Sequence, residues 1–387
     1  MVGPTEAGNF LPRAQRAHLY SCINTGSMDS QRIEELDTPS LIVDLDGFEG
    51  NVRLGMERLS RVRVRPHLKT AKSPEVARLL LGAGAMGICV AKLSEAEVML
   101  DAGIDDVLIT TELAGPIKAR RFARLIDRWP DARVSVVVDS WEGASALDAE
   151  LPRAVDTLID VNVAQDRCGV APAEARGLAD RIRALERLRL VGLQGYEGNL
   201  QHVRDAGERR RLCDTAMTRL EAAVDDLRAA GHTVDVATTG GTGTAEFCAA
   251  HECVTEVQPG SFMFMDADYL DTGGVPYRPA LAAIATVISR PTVDRAVLDA
   301  GLKTLSNDSG PARVADAPGW SYQPAGDEHG TLTPTGDPPR RELRVGDRVT
   351  LVPSHIDTTV NLHDLLYVHR GGQIEATWAV AARGKVQ

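Results

Sequence analysis

The chain has no CxxC pair, no apolar run long enough to span a bilayer and no surplus of positive charge. Each absence removes a class of protein. Six cysteines (Cys22, Cys89, Cys168, Cys213, Cys248 and Cys253) are scattered through 387 residues. Such usage fits reduced thiols in the cytoplasm and speaks against a disulfide frame or a zinc finger. Forty-three Lys and Arg stand against 54 Asp and Glu, a formal charge of −11. Neither nucleic acid nor an anionic membrane is expected as a main partner, although a small anion in a local positive pocket remains open. Met1 to Asn24 lack the apolar core of a signal peptide, and residues 1–30 read as a poorly ordered extension. No G-x-G-x-x-G follows a first strand, which weakens the case for a dinucleotide-binding sheet. There is no internal repeat and no low-complexity tract.

What is present is alternation. From about Val62 to Phe264, strand-like and helix-like segments follow one another. Candidate strands begin near Val62, Gly87, Asp106, Arg133, Thr157, Arg189, Thr233 and Glu256. Between them, Ser73-Pro74 reads as a helix start, Ser94 to Glu97 as a capping box and Gly103 as a helix stop. His202 to Ala230 reads as the longest helix. Eight βα units in succession predict an α/β fold of the (β/α)₈ barrel type over residues 31–268, with an open doubly wound sheet as the rival. Beyond Asp268 the pattern changes to short β-rich segments: Leu281 to Ile288, Ala296 to Asp299, Leu343 to Val345, Arg348 to Val352 and Leu365 to Val368. Residues 269–387 are therefore expected to form a β-rich domain, with Pro311 to Pro339 as a long loop.

Five segments carry chemistry. Arg65-Pro66-His67-Leu68-Lys69-Thr70-Ala71-Lys72 delivers lysines to a strand end among other cations. A deprotonated lysine amine condenses with carbonyl groups, and cationic neighbours favour that state. A solvated lysine pair is the plainer alternative. Thr239-Gly240-Gly241-Thr242-Gly243-Thr244 follows the seventh barrel strand, where barrels commonly bind phosphate. Its glycines admit an anion to backbone N–H groups, and its threonines offer hydroxyls. Gln165 and Arg167 after the fifth strand, and Tyr196 after the sixth, converge on the same catalytic face. Finally, His355 and Asp357 sit two apart in a segment read as extended, so both point to one side and can chelate one cation. Their N/O character suits Mn²⁺, Mg²⁺ or Zn²⁺, and His363 and Asp364 offer further partners.

Together these segments resemble the D-threonine aldolase and D-serine dehydratase family, of alanine-racemase-like fold. The likeness runs from Thr38 to about Val368 and includes Thr38 to Asp46, Arg65 to Lys69, Asp160 to Gly169, Thr239 to Thr244, Gln258 to Ser261, Asp299 to Lys303, Glu328 to Gly330 and Pro353 to Asp357. It implies pyridoxal 5′-phosphate as cofactor, carried by Lys69. The expected cofactor set is Lys69, His67, Gln165, Arg167, Tyr196, Thr239, Gly241, Thr242, Gly243 and Thr244. The expected catalytic set is Lys69, His202, His355 and Asp357, with His355 and Asp357 holding a divalent cation. A homodimer is implied as well. Two departures bear on proton transfer. Ala71 stands where relatives often have histidine, and Asn199 stands where they often have another, with His202 three residues on.

The resemblance implies a lyase that cleaves D-3-hydroxy amino acids to glycine and an aldehyde. Its close alternative is a dehydratase acting on D-serine or D-3-hydroxyaspartate and giving a 2-oxo acid and ammonia. Family dehydratases tend to pair a cysteine with zinc at the second metal position, whereas Asp357 favours harder Mn²⁺ or Mg²⁺. An amino-acid racemase is a third reading, in which the metal pair has no part.

Overall fold

The computed structural model describes residues 31–336 and 341–387, so the N-terminal extension expected over 1–30 lies outside the described residues. The strands of the first half are β1 (Ser40–Asp44), β2 (Arg63–Val64), β3 (Ile88–Val90), β4 (Asp106–Ile109), β5 (Arg133–Val138), β6 (Val155–Val161), β7 (Leu188–Gly195), β8 (Val236–Thr239) and β9 (Glu256–Val257). β2 to β9 form one parallel sheet in the order β2-β9-β8-β7-β6-β5-β4-β3. The ends meet: Cys89 N–H donates to Pro66 O at 2.9 Å, and Leu68 N–H donates to Cys89 O at 2.8 Å. β6 is buried at every position, as a strand covered on both faces must be. Cys89, Leu108, Val137 and Leu158 pack together inside the sheet, so the barrel has a filled interior and no pore. All eight barrel strands start close to their expected positions, the largest offset being Val236 against Thr233.

The helices are α1 (Leu45–Arg58), α2 (Pro74–Gly82), α3 (Leu93–Asp101), α4 (Pro116–Arg128), α5 (Trp141–Glu150), α6 (Ala175–Ile182), α7 (Ala206–Ala229), α8 (Ala245–Cys248), α9 (Ala267–Leu270) and, in the second half, α10 (Ile356–Val360). Their ends differ in detail from expectation. The capping carboxylate of α3 is Glu95, which accepts from Ala91 N–H at 2.8 Å and Lys92 N–H at 3.1 Å. Ser94 instead donates its hydroxyl to Gln387 O at 2.6 Å. Ser73 precedes Pro74 as expected, yet its hydroxyl bonds Glu75 and caps no backbone group. α7 starts at Ala206, where Asp205 accepts from Glu208 N–H at 2.7 Å, so His202 lies in the loop ahead of the helix.

The second sheet contains β10 (Leu281–Thr292), β11 (Arg295–Leu298), β12 (Arg313–Val314), β13 (Trp320–Pro324), β14 (Gly330–Pro334), β15 (Arg348–Val352), β16 (Leu365–Arg370) and β17 (Gln373–Ala379). β1 joins it, antiparallel to β10 and parallel to β16. The first strand of the segment read as barrel therefore belongs to the other sheet. Ile42 shows why: it packs with Leu36, Ile284 and Ile374 on the face away from the main core. The expected long loop from Pro311 to Pro339 is corrected, because the described part holds β12 and the β13–β14 hairpin. Leu343 to Val345, expected as a strand, forms none. The two sheets share one apolar core. Phe48 of α1 lies 5.3 Å from the Trp378 ring and 5.6 Å from the Phe264 ring, tying β17 to the segment after β9.

Candidate active site at the barrel mouth

Lys69 sits in the turn after β2, held by the bonds that close the barrel. Its backbone N–H donates to His67 Nδ1 at 3.3 Å, and His67 Nε2 meets Thr110 Oγ1 at 2.9 Å. Burial, helped by the Lys69 charge, pushes the His67 pKa down to about 3, so the ring is neutral at pH 7. A neutral imidazole accepting at Nδ1 carries its proton at Nε2 and donates to Thr110. Lys72 is a different lysine altogether. It adopts φ 51° and its ammonium pairs with the buried Glu95. It is thus committed to anchoring α3, while Lys69 is directed at the mouth of the barrel.

A cavity of about 100 Å³ opens there, with His67, Lys69, Thr110, Arg167, Gln194, Tyr196 and Gln258 in its wall. The Arg167 guanidinium lies 5.7 Å from the Tyr196 ring centroid. Burial raises the Tyr196 phenol, against the pull of Lys69. Gln194 and Gln258 were not anticipated as site residues. Gln194 donates to Asp160 Oδ1 at 2.9 Å, and Gln258 donates to Thr238 Oγ1 at 2.8 Å. The signal for Gln194 was its place at the end of β7, one turn of the pleat before Tyr196. Burial pushes the Asp160 carboxyl up to about 7, opposed by Gln194 and aided by Glu112. Glu112, Asp139 and Cys168 form an acidic rim next to Arg167, each bringing one polar atom within 4.8 Å of the others.

Gln165 does not line this cavity. Its Oε1 accepts from Asn199 N–H at 2.5 Å, so it fixes the loop after β7. Asn199 in turn donates to Ala164 O at 3.0 Å. The expected glycine-threonine loop does lie at the end of β8, but its hydroxyls are directed elsewhere. Thr239 Oγ1 donates to Glu197 Oε2 at 2.9 Å and Thr244 Oγ1 to Glu197 Oε1 at 2.5 Å. Thr242 Oγ1 accepts from Phe262 N–H at 3.0 Å. Gly241 and Gly243 are required by packing as well as by any ligand. A Cβ on Gly241 would meet the Gln201 amide at 2.5 Å, and one on Gly243 would meet Gln201 O at 2.2 Å.

Across the mouth, β15 leads into α10 and brings in His355 and Asp357. The extended segment expected there is corrected: His355 is the N-cap of α10 and Asp357 lies in its first turn. The turn is pinned by buried Asp266, which accepts from Ile356 N–H at 3.3 Å and Tyr269 N–H at 2.9 Å. Burial raises the Asp266 carboxyl to about 6. Asp357 Oδ2 meets the Lys69 ammonium. Burial opposes the Asp357 charge, but Lys69 and His355 outweigh it and hold the carboxyl at about 2. Its second oxygen, Oδ1, is buried and makes no well-aligned hydrogen bond, although the Thr70 hydroxyl is near enough to help lower the carboxyl. His355 Nδ1 lies 2.6 Å from Asp308 Oδ2, which leaves Nε2 available. An orphaned carboxylate oxygen and a free imidazole nitrogen are the donor set a hard or borderline divalent cation takes.

His202 completes this side. Its Nδ1 lies 3.0 Å from Asp268 Oδ2, and its ring stacks on Tyr269 with centroids 4.3 Å apart. Burial lowers its pKa, with Asp268 opposing. A second cavity of about 360 Å³ is walled by Arg204, Asp268, Trp320, Tyr322 and Ser354, and neither the His202 nor the His355 ring lines it. Among the described residues no helix is long and apolar enough to cross a membrane.

Residues 43–268 match the family described as alanine racemase, N-terminal domain, and residues 280–369 match the putative serine dehydratase domain. A D-threonine aldolase of Arthrobacter sp is 40% identical over 91% of this chain and 94% of its own length. The crystal structure of D-threonine aldolase from Filomicrobium marinum superposes with a TM-score of 0.88 at 38% identity, covering 92% of this chain and 98% of that one. D-threo-3-hydroxyaspartate dehydratase from Delftia sp. HT23 superposes with a TM-score of 0.82 at 27% identity, covering 90% and 98%. Solved structures of D-threo-3-hydroxyaspartate dehydratase also include a cysteine-to-alanine mutant in the metal-free form and a histidine-to-alanine mutant.

Proposed function

The chain belongs to the D-threonine aldolase and D-serine dehydratase family of alanine-racemase-fold enzymes, and from that premise we propose a pyridoxal-phosphate lyase that cleaves D-3-hydroxy amino acids into glycine and an aldehyde. The observation that carries this reading is the contact between Lys69 and Asp357. It sets a carbonyl-binding lysine against a cation-binding pair at one mouth.

When bound, pyridoxal 5′-phosphate supplies an electron sink, and a divalent cation on His355 and Asp357 makes an adjacent alcohol more acidic. The chain's own residues then have distinct tasks. Lys69 carries the cofactor, next to a His67 that stays neutral and adds no competing charge. In the loop Thr239 to Thr244 the N–H groups of Gly241, Gly243 and Thr244 bond Thr244 Oγ1, Gln201 Oε1 and Gly241 O, so Thr242 N–H is the one offered to the phosphate, while Glu197 holds two of the threonine hydroxyls in place. Arg167 and Tyr196 flank the ring side of the cavity. His202, its Nδ1 facing Asp268, is the base that takes the substrate's hydroxyl proton. Departure of that proton drives cleavage between Cα and Cβ.

The dehydratase reading keeps the same cation but removes the Cα proton and expels hydroxide. Asp357 favours the aldolase, because a carboxylate prefers Mn²⁺ or Mg²⁺ where a thiolate prefers Zn²⁺. A racemase has no use for the His355–Asp357 pair. A homodimer in the cytoplasm belongs to the same proposal. The test is product analysis. Purified protein with pyridoxal 5′-phosphate, Mn²⁺ and D-threonine should give glycine and acetaldehyde. 2-Oxobutyrate and ammonia would establish the dehydratase instead.

A further inference from the structure

We propose that Asp308 is a positioning residue for the cation site: it fixes the tautomer and ring orientation of His355 so that Nε2 is presented to the metal. The inference rests on the reading of His355 and Asp357 as the cation pair. It names a residue outside that pair, 47 positions away in the sequence.

Three observations carry it. First, Asp308 Oδ2 lies 2.6 Å from His355 Nδ1. A carboxylate there holds the ring proton on Nδ1 and leaves the Nε2 lone pair free, as metal-binding imidazoles require. Second, Asp308 is itself tied down. Ser306 Oγ donates to Asp308 Oδ1 at 2.7 Å, and Thr358 Oγ1 donates to the same oxygen at 2.9 Å. One oxygen is spent on anchoring and the other faces the imidazole. Third, the anchors come from both sides of the site. Ser306 N–H donates to Thr359 Oγ1 at 3.2 Å, and Ser354 Oγ donates to Ser306 O at 3.4 Å, so the 306–308 turn is sewn to the start of α10. Asp308 therefore moves with the helix that carries Asp357, which keeps the two cation donors in register.

The other face of the site has no equivalent. His202 Nδ1 lies 3.0 Å from Asp268 Oδ2 yet makes no aligned hydrogen bond.

The experiment measures Mn²⁺ affinity of the pyridoxal-phosphate-loaded enzyme by the electron paramagnetic resonance signal of free Mn²⁺. Circular dichroism and the cofactor's visible absorbance verify folding and loading. Asp308→Ala should weaken Mn²⁺ binding by about 10–100-fold. Asp308→Asn, whose amide oxygen still accepts from Nδ1–H, should restore most of the affinity. Ser306→Ala and Thr358→Val, which leave the Asp308–His355 contact intact, should have much smaller effects. Unchanged affinity in folded Asp308→Ala overturns the proposal. So does an Asn variant as weak as the Ala variant, which would make Asp308 a ligand or a bare charge, and so do anchor variants as weak as Asp308→Ala. His355→Ala separates the two levels. If it binds Mn²⁺ like the wild type, the cation pair itself is misassigned. If it loses Mn²⁺ while Asp308→Ala does not, only the positioning role falls.

Discussion

The Asp357 carboxylate meets the Lys69 ammonium across the junction of the parallel barrel and the antiparallel sheet. The two residues are 288 positions apart in sequence. The pairing places the cation donors next to the cofactor lysine, and each prediction below follows from some part of that arrangement.

The two lysines of the first motif should fail in different ways. Lys69→Ala should lose the visible absorbance of bound cofactor and all activity while remaining folded. Lys72→Ala should keep the absorbance but strand Glu95 in the interior. Breaking a buried pair costs about 3–5 kcal/mol, which urea unfolding resolves. Loss of cofactor absorbance in Lys72→Ala together with its retention in Lys69→Ala would reverse the assignment.

Glu197 should govern cofactor affinity without touching the cofactor. It is fully buried and accepts from Thr239, Thr244 and Gln201. Glu197→Gln replaces one acceptor by a donor. Losing one charge-assisted bond costs about 1.5 kcal/mol or more, roughly tenfold in the pyridoxal 5′-phosphate dissociation constant. Fluorescence titration of the folded variant checks this, and an unchanged constant would show that the threonines hold the loop unaided. Gly241→Leu should weaken cofactor binding further, because its side chain collides with Gln201.

The sequence displayed the catalytic face of the barrel better than it displayed the floor of the site. Arg167 and Tyr196 follow strands with clear apolar runs, Lys69 follows the short alternating stretch Val62 to Arg65, and strand ends in a barrel share one face. Gln194 was marked only by its strand-end place and Gln258 only as part of the Gln258 to Ser261 segment, since an amide side chain is ordinary at any surface. Asp266 and Asp308 act through partners tens of residues away, and no local pattern encodes such contacts. The β13–β14 hairpin was hidden for a different reason. Trp320 and Tyr322 alternate with polar neighbours as a half-buried strand should, and so does Leu332 in the returning strand. Only a few residues lie on each side of a Gly- and Asp-rich turn, so the period never shows over a long window. β1 was legible as apolar, but its sheet was not, because pairing with β10 and β16 is decided by partners more than two hundred residues away.

Asp160 should make stability depend on pH in a stated direction. Its carboxyl titrates at about 7 in the folded chain, against about 4 when unfolded. A group whose folded pKa is raised stabilises the fold fully below its unfolded value, and that contribution is lost as pH rises through the folded value. Asp160→Asn removes the ionisation. The melting temperature of the variant minus that of the wild type should therefore climb between about pH 4 and 7 and then level off. A difference that stays flat across this range means Asp160 ionises normally despite its burial.

Metal and cofactor should be separable. Chelation should abolish activity and leave the cofactor absorbance intact, since His355 and Asp357 serve the substrate hydroxyl. Asp357→Ala should match the chelated enzyme. Asp357→Cys should shift preference towards Zn²⁺ and raise dehydration relative to cleavage. Identical metal preference in a folded Asp357→Cys variant would remove Asp357 from the coordination sphere.

The most direct measurement is the product of D-threonine turnover by the same cofactor-loaded preparation, first with Mn²⁺ and then after verified removal of all divalent metal. The account predicts glycine and acetaldehyde in equal amounts with metal, and neither product without it. Undiminished cleavage by the metal-free enzyme, or 2-oxobutyrate and ammonia in place of glycine, would contradict it.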